Sequence, residues 1–81
     1  MKFNQLISKR IRKLLNERNW TQYELAQRGG LSQSTLCCVL KNRWATIGSD
    51  TLLNICRGFD MPITEFFNDA LFDFENIADD D

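Results

Sequence analysis

This chain of 81 residues contains three cysteines, Cys37, Cys38 and Cys56. A cysteine can bind a metal, form a disulfide or act as a nucleophile. Their spacing contains no CxxC pair, so we expect no metal site. The chain has no histidine, so the usual base for a serine or cysteine nucleophile is missing, and no pair of carboxylates stands out. Cys37 and Cys38 are neighbours that would point about 100° apart on a helix, which makes a mutual disulfide unfavourable. We therefore expect no enzymatic activity and no cofactor.

Polar side chains around the two adjacent cysteines have a different chemistry. Gln33 can present a donor and an acceptor together to the N7 and N6 edge of adenine, and Ser34 can donate to or accept from a base. Lys41 and Arg43 are long cations that can reach phosphates. These residue types favour contact with double-stranded DNA.

Charge is divided unevenly along the chain. Residues 1–43 contain nine Lys or Arg against two Glu, whereas residues 44–81 contain one Arg against nine acids. The net charge of −1 therefore hides a basic first half and an acidic second half. Such a split indicates that the first half faces a polyanion, while the acidic half is solvated or binds a partner. The alternative is that the charges simply coat the surface.

The spacing of apolar residues predicts five helices that would position these side chains. We expect helices over residues 3–18, from the cap Thr21 to about Gly29, over 32–41, over about 50–58, and in a short segment with Pro62 in its first turn. Beyond Asn68, alternating apolar and acidic residues predict a marginal strand or helix followed by a frayed tail.

Local signals specify the helix ends. "TQYE" predicts a capping box between Thr21 and Glu24, and Trp20 would pack onto Leu25 as a hydrophobic staple. Ser32 is expected to cap the third helix, and either Ser49 or Asp50 the fourth. In the third helix, Leu36, Val39 and Leu40 share one face, and the polar residues and Cys37 and Cys38 share the other.

Two short helices joined by a glycine turn, "TQYELAQRGGLSQSTLCCVLK", have the layout of a helix-turn-helix. Ala26 supplies the small residue where the helices cross, and Gly30 supplies the turn. Over residues 5–68 the chain resembles the Cro/cI-type helix-turn-helix repressors, also called the XRE family. The resemblance implies an all-α fold, a compact five-helix bundle of the lambda-repressor-like DNA-binding type with helix-turn-helix at helices 2 and 3. It also implies a homodimer on a palindromic operator. Gly29 stands where the family usually has an apolar residue, so we expect a loose end to helix 2.

The resemblance and the side-chain chemistry together predict the DNA-contacting residues. Base edges would be contacted by Gln33, Ser34, Cys37 and Cys38. The DNA backbone would be contacted by Thr21, Gln22, Ser32, Lys41, Asn42 and Arg43.

Several residues keep alternative interpretations. Cys37 and Cys38 could be small side chains against a thymine methyl or sugar edge, they could sense redox state by gaining bulk and charge on oxidation, or Cys37 could be buried against a neighbouring element. For Trp20 and Trp44, we favour a packing role over stacking on nucleic-acid bases. The basic residues of helix 1, Lys9, Arg10, Arg12 and Lys13, either touch phosphate or form a solvated surface.

These inferences predict a sequence-specific transcriptional regulator, a cytoplasmic repressor without membrane attachment that binds double-stranded DNA as a homodimer. Its dimer interface would use Phe66, Phe67, Leu71, Phe72 and Phe74. We divide the chain into a helix-turn-helix DNA-binding domain at 1–68 and an acidic, aromatic C-terminal extension at 69–81. The competing hypothesis is a protein-interaction module, such as an antitoxin or an inhibitor, that binds a protein partner through the acidic segment.

Overall fold

The computed structural model describes residues 1–44 and 46–77, and within these ranges it contains helices and turns but no strand. The α-helices are α1 (Phe3–Arg18), α2 (Gln22–Gly29), α3 (Gln33–Leu40), α4 (Ser49–Gly58) and α5 (Ile63–Phe66). Single 3-10 turns follow at Ala70–Phe72 and Phe74–Asn76. The five-helix, all-α prediction is confirmed. The segment after Asn68 forms these turns rather than the expected strand or longer helix, and the last residues of the predicted frayed tail, 78–81, lie outside the described residues.

One core joins all five helices. Ile11 of α1, Leu25 of α2, Leu36 of α3, Ile55 of α4 and Phe66 of α5 each have no exposed surface. Burying an apolar side chain of this size stabilises the folded state by about 1.5–3 kcal/mol. In the described parts of the chain, every helix is too short or too polar to span a membrane.

Each of the first four helices ends with a left-handed residue. Asn19, Gly30, Asn42 and Asp60 have φ between 55° and 65°. The residue after each of them donates its N–H to a carbonyl five residues back, at 2.9–3.1 Å, which satisfies a carbonyl of the last turn. Asn and Asp tolerate this conformation because their short polar side chains bond locally. The chain therefore turns sharply four times without long loops.

The helix starts agree in part with the predicted caps. Thr21 Oγ1 accepts from the Glu24 N–H at 3.2 Å, and Ser32 Oγ accepts from the Thr35 N–H at 3.0 Å. The reciprocal half of the capping box is replaced by an ion pair, because the Glu24 carboxylate accepts from Arg28 Nε at 2.8 Å. The prediction that Ser49 or Asp50 caps α4 is wrong.

Gly48 is the cap of α4, and both Ser49 and Asp50 lie in its first turn. A glycine can adopt the extended backbone of a cap without a side chain to contribute, so the more usual capping residues one and two positions later were misleading. Pro62 likewise caps α5 and precedes its first turn.

Trp20 packs at the junction of α1 and α2. Its ring stacks on Phe59, with centroids 5.7 Å apart and planes 5° from parallel. The guanidinium of Arg28 lies 4.4 Å from the centroid of the Trp20 ring, and that of Arg18 lies 5.0 Å from it. The indole is thus a packing residue whose faces attract two cations.

The end of α2 is tightly packed, and the expectation of a loose end is wrong. A Cβ atom at Gly29 would lie 2.6 Å from the carbonyl oxygen of Asn54 in α4. A Cβ atom at Gly58 would lie 3.0 Å from the backbone nitrogen of Gly29. Two glycines therefore allow the backbones of α2 and α4 to meet where larger residues would hold them apart.

The segment after α5 packs back on α1. Asp69 bonds Lys13 at 2.7 Å and Arg10 at 3.3 Å. The Phe72 ring contacts Phe3 of α1 edge-on, with centroids 6.0 Å apart. The domain boundary at 68/69 stays a prediction, but residues on both sides of it share these contacts.

Candidate nucleic-acid interface

The inner face of α3 anchors the helix in the core. Leu36, Val39 and Leu40 are each at most 2% exposed. Ser32 fixes the first turn by capping, and the left-handed Asn42 closes the last. Because both ends and one face are held, the direction in which the outer face points is fixed as well.

The outer face of α3 carries the four residues predicted to contact base edges. Gln33 and Ser34 are exposed, and Cys37 and Cys38 are half-buried one turn later. Among residues 1–44 and 46–77, nothing donates a hydrogen bond to Gln33 or Ser34 side chains or accepts one from them. An amide and a hydroxyl side by side on an exposed helix can therefore be satisfied by a ligand such as a base edge.

The residues before α2 and α3 present a second polar surface. Thr21, Gln22 and Ser32 are all exposed. The hydroxyls of Thr21 and Ser32 already cap their helices, and Ser32 Oγ also donates to Thr35 Oγ1 at 2.8 Å. Their backbone N–H groups and the Gln22 side-chain NH₂ remain to donate to an anion, which the positive end of a helix dipole favours.

The segment after α3 carries the remaining predicted backbone contacts. Lys41, Asn42 and Arg43 are all exposed. Asn42 has an additional internal role, since its Oδ1 accepts from Ser8 Oγ at 3.2 Å. Lys41 and Arg43 are the two cations of this segment that project into solvent.

Three of the four basic residues of α1 make contacts within the fold. Arg10 is 8% exposed and donates from Nε to the Phe66 carbonyl at 2.8 Å. Arg12 donates to the Leu40 carbonyl at 3.1 Å, and Lys13 pairs with Asp69. Lys9, Arg12 and Lys13 are exposed, so of the four only Arg10 is buried. Sequence reasoning missed these roles because two of the partners are backbone carbonyls, which leave no signal in residue types.

Two titratable groups are shifted by their surroundings. The hydrogen bond from Lys13 lowers the pKa of Asp69, and the Leu71 N–H and the Arg10 charge act in the same direction. Burial raises the pKa of the Cys56 thiol, so this cysteine is an inert core residue at neutral pH.

The predicted dimer residues differ in what they offer a second molecule. Phe66 has no exposed surface, so its side chain is unavailable to a partner, because it fills the core beside α1. Phe67, Leu71 and Phe72 are half-buried. Phe74 is 92% exposed. Among the five predicted dimer residues, Phe74 therefore offers the largest exposed fraction.

Comparison with known proteins identifies one similarity. The family model of the Cro/C1-type HTH DNA-binding domain matches residues 10–70. These residues run from α1 through all the helices described above to the first 3-10 turn. No curated protein matches the chain, and no solved structure matches it.

Proposed function

The chain belongs to the Cro/C1-type helix-turn-helix DNA-binding domains, and from this premise we propose that it is a repressor that binds a palindromic operator as a homodimer. Membership makes it a DNA-binding regulator of a non-enzymatic family. Under the proposal, the segment 32–41, which contains α3 and its two caps, enters the major groove.

The observation that carries this proposal is the division of α3 into two faces. Its apolar residues are all buried, while Gln33 and Ser34 are exposed and have no hydrogen-bond partner among the described residues. A helix that served only the core would not need an amide and a hydroxyl held in one direction. Base edges supply donors and acceptors that match them.

The proposed DNA contacts fall into two sets. Base edges are read by Gln33, Ser34, Cys37 and Cys38, with the cysteines against a thymine methyl or sugar edge. Phosphates are contacted by the backbone or side chains of Thr21, Gln22, Ser32, Lys41, Asn42 and Arg43. The first set determines sequence preference, and the second set determines affinity and its dependence on salt.

A dimer follows from the size of the domain. One module contacts one half-site, and two-fold pairing places two recognition helices one turn of DNA apart. The proposed interface uses Phe67, Leu71, Phe72 and Phe74, of which Phe74 is the most exposed.

The test is selection of bound sequences from a random pool of duplexes, with the wild-type protein and the Gln33→Ala, Ser34→Ala variant side by side. We expect the wild type to enrich an inverted repeat. The double variant should lose preference at the contacted positions, because a bidentate contact discriminates between bases by about 1–3 kcal/mol.

A Gln27→Ala variant is the matched control, since Gln27 is an exposed glutamine of α2 outside both proposed sets. It should enrich the same repeat as the wild type. Weak, uniform binding by the wild type across all sequences would contradict base reading by α3. A single half-site without a repeat would contradict the dimer.

A second candidate function is favoured by one observation. The exposed ring of Phe74 lies between Asp73 and Glu75, a pattern that fits a basic, apolar groove on another protein. The Phe74→Ser variant separates the candidates. Loss of the dimer, measured by sedimentation, together with weaker operator binding supports the homodimer. An unchanged oligomeric state and unchanged DNA binding would shift the assignment of Phe74 to a protein partner.

A further inference from the structure

Three polar side chains of α1, one helical turn apart, hold the segment that follows α3. Arg12 Nη2 donates to the Leu40 carbonyl at 3.1 Å. The single proton of the Ser8 hydroxyl is shared between two acceptors, Asn42 Oδ1 at 3.2 Å and the Gln5 carbonyl at 3.1 Å. Asn4 Nδ2 donates to the Trp44 carbonyl at 2.8 Å. We call Asn4, Ser8 and Arg12 the α1 ladder.

The register of the α1 ladder is regular. Residues 12, 8 and 4 of α1 bond to residues 40, 42 and 44, so the two segments run in opposite directions and every second residue is held. The residues in between are Lys41 and Arg43, which are both exposed cations. Spacing of four on a helix puts the ladder on one face.

The hydrogen bonds of the ladder add a second attachment to a segment that, among the described residues, is otherwise bonded only to the end of α3. Residues 41–44 are all exposed, so no apolar side chain is fully buried there to fix them. The bonds that close the end of α3 hold Lys41, Asn42 and Arg43 to the helix. The ladder connects Leu40, Asn42 and Trp44, which alternate with Lys41 and Arg43, to a second element, α1.

We infer that Asn4, Ser8 and Arg12 are positioning residues for DNA binding, which hold residues 40–44 so that Lys41 and Arg43 meet consecutive phosphates. This inference rests on the proposed phosphate contacts of Lys41 and Arg43. Long cationic side chains on a mobile loop must lose freedom when they bind, and each immobilised side chain or loop lowers the affinity. A loop held in advance by α1 avoids part of that loss. It also keeps both cations within reach of phosphates, so a loosened loop makes fewer phosphate contacts and releases fewer counterions on binding.

The experiment measures how binding to a mixed-sequence duplex depends on salt, so it does not depend on finding an operator. Each phosphate contact contributes about 0.9 to the slope of log K against log salt concentration. The variants are Lys41→Ala, Arg43→Ala as one pair and Asn4→Ala, Ser8→Ala as the other. Arg12 is left in place because its removal would also delete a charge.

We expect the Lys41→Ala, Arg43→Ala pair to reduce the slope by about 1.8, which corresponds to two lost contacts. The Asn4→Ala, Ser8→Ala pair should reduce the slope in the same direction although it removes no charge. A variant with all four substitutions should have the same slope as the Lys41→Ala, Arg43→Ala pair. Asn16→Ala, an exposed asparagine at the other end of α1, is the matched control and should leave the slope unchanged.

Thermal unfolding followed by circular dichroism separates positioning from stability, since all slopes are measured where each variant is fully folded. If the Asn4, Ser8 pair does not fold, Asn4→Ala alone carries the same expectation with a smaller decrease. An unchanged slope for the ladder variants beside a reduced slope for the Lys41, Arg43 pair overturns the inference and leaves the phosphate contacts standing. An unchanged slope for the Lys41→Ala, Arg43→Ala pair overturns both the proposed phosphate contacts and the inference about the ladder.

Discussion

The three cysteines differ in what surrounds each thiol. Cys56 is 1% exposed in α4, and burial raises its pKa, so it stays protonated and poorly nucleophilic. Cys37 and Cys38 are half-buried on the outer face of α3. Reactivity toward thiol reagents should therefore separate the two thiols on the outer face of α3 from the one in the core.

We expect iodoacetamide to modify two thiols of the folded protein and the third only after denaturation. Under the proposed function the modified protein should bind DNA more weakly, because each adduct adds bulk to the face proposed to enter the groove. Intact mass spectrometry counts the adducts over time, and a gel-shift assay measures the binding of the same samples.

The Cys37→Ser, Cys38→Ser variant is the control, since treatment with the reagent should leave its DNA binding at the level measured before treatment. Rapid modification of all three thiols would mean that Cys56 is accessible. Full DNA binding by a doubly modified protein would place the outer face of α3 away from DNA.

At the scale of elements, the crossing of α2 and α4 depends on two glycines. Gly29→Ala would bring a Cβ atom to 2.6 Å from a backbone carbonyl of α4, so the helices must separate. We expect Gly29→Ala to lower the free energy of unfolding by about 1–3 kcal/mol, as overpacking usually does. Urea unfolding followed by circular dichroism measures this change.

Gly30→Ala is an informative comparison, because its Cβ would meet nothing within 4 Å while its φ of +65° is unfavourable for alanine. Gly30→Asn should recover part of the stability lost in Gly30→Ala, since asparagine tolerates this backbone conformation. A Gly29→Ala protein as stable as the wild type would show that α4 shifts at little cost.

The elements themselves were largely predictable because their signals are local. The caps at Thr21 and Ser32 and the stop at Gly30 depend on residues within one turn of each helix end. The cap of α4 was missed because Gly48 has no side chain to mark it. The tight contact at Gly29 was missed because its cause, Asn54 of α4, lies far away in sequence.

At the scale of the whole molecule, the basic and acidic halves of the chain partly neutralise each other. Arg10 and Lys13 of the basic half meet Asp69 of the acidic half. The charge split alone predicted a polyanion as the partner of the basic half. It could not show that part of that charge is used inside the fold, since a sequence does not reveal which distant residues meet.

Asp69 gives the fold a sensitivity to acid. Its lowered pKa means that the unfolded chain binds the proton more readily than the folded one, so the stability from this carboxylate is present above about pH 4 and is lost as pH falls further. We expect Asp69→Asn to lower the free energy of unfolding at pH 7 by about 1 kcal/mol. Below pH 4 the difference from the wild type should shrink.

Urea unfolding at a series of pH values measures this difference directly. Asp73→Asn is the matched control, because Asp73 is an exposed aspartate four residues later. This variant should lose free energy of unfolding below pH 4 in the same way as the wild type. A constant gap between Asp69→Asn and the wild type at all pH values would contradict the proposed role of the Asp69 charge.

The division of α3 into a buried and an exposed face also bears on how such a regulator changes in evolution. Residues 33 and 34 are exposed and contact no other described side chain through hydrogen bonds, while the residues that hold α3 are different ones. Under the proposed base contacts, substitutions at 33 and 34 would therefore alter which operator is read at almost no cost in folding. Target choice and foldability would then be inherited through separate residues, which leaves room for new operators to be acquired by single substitutions.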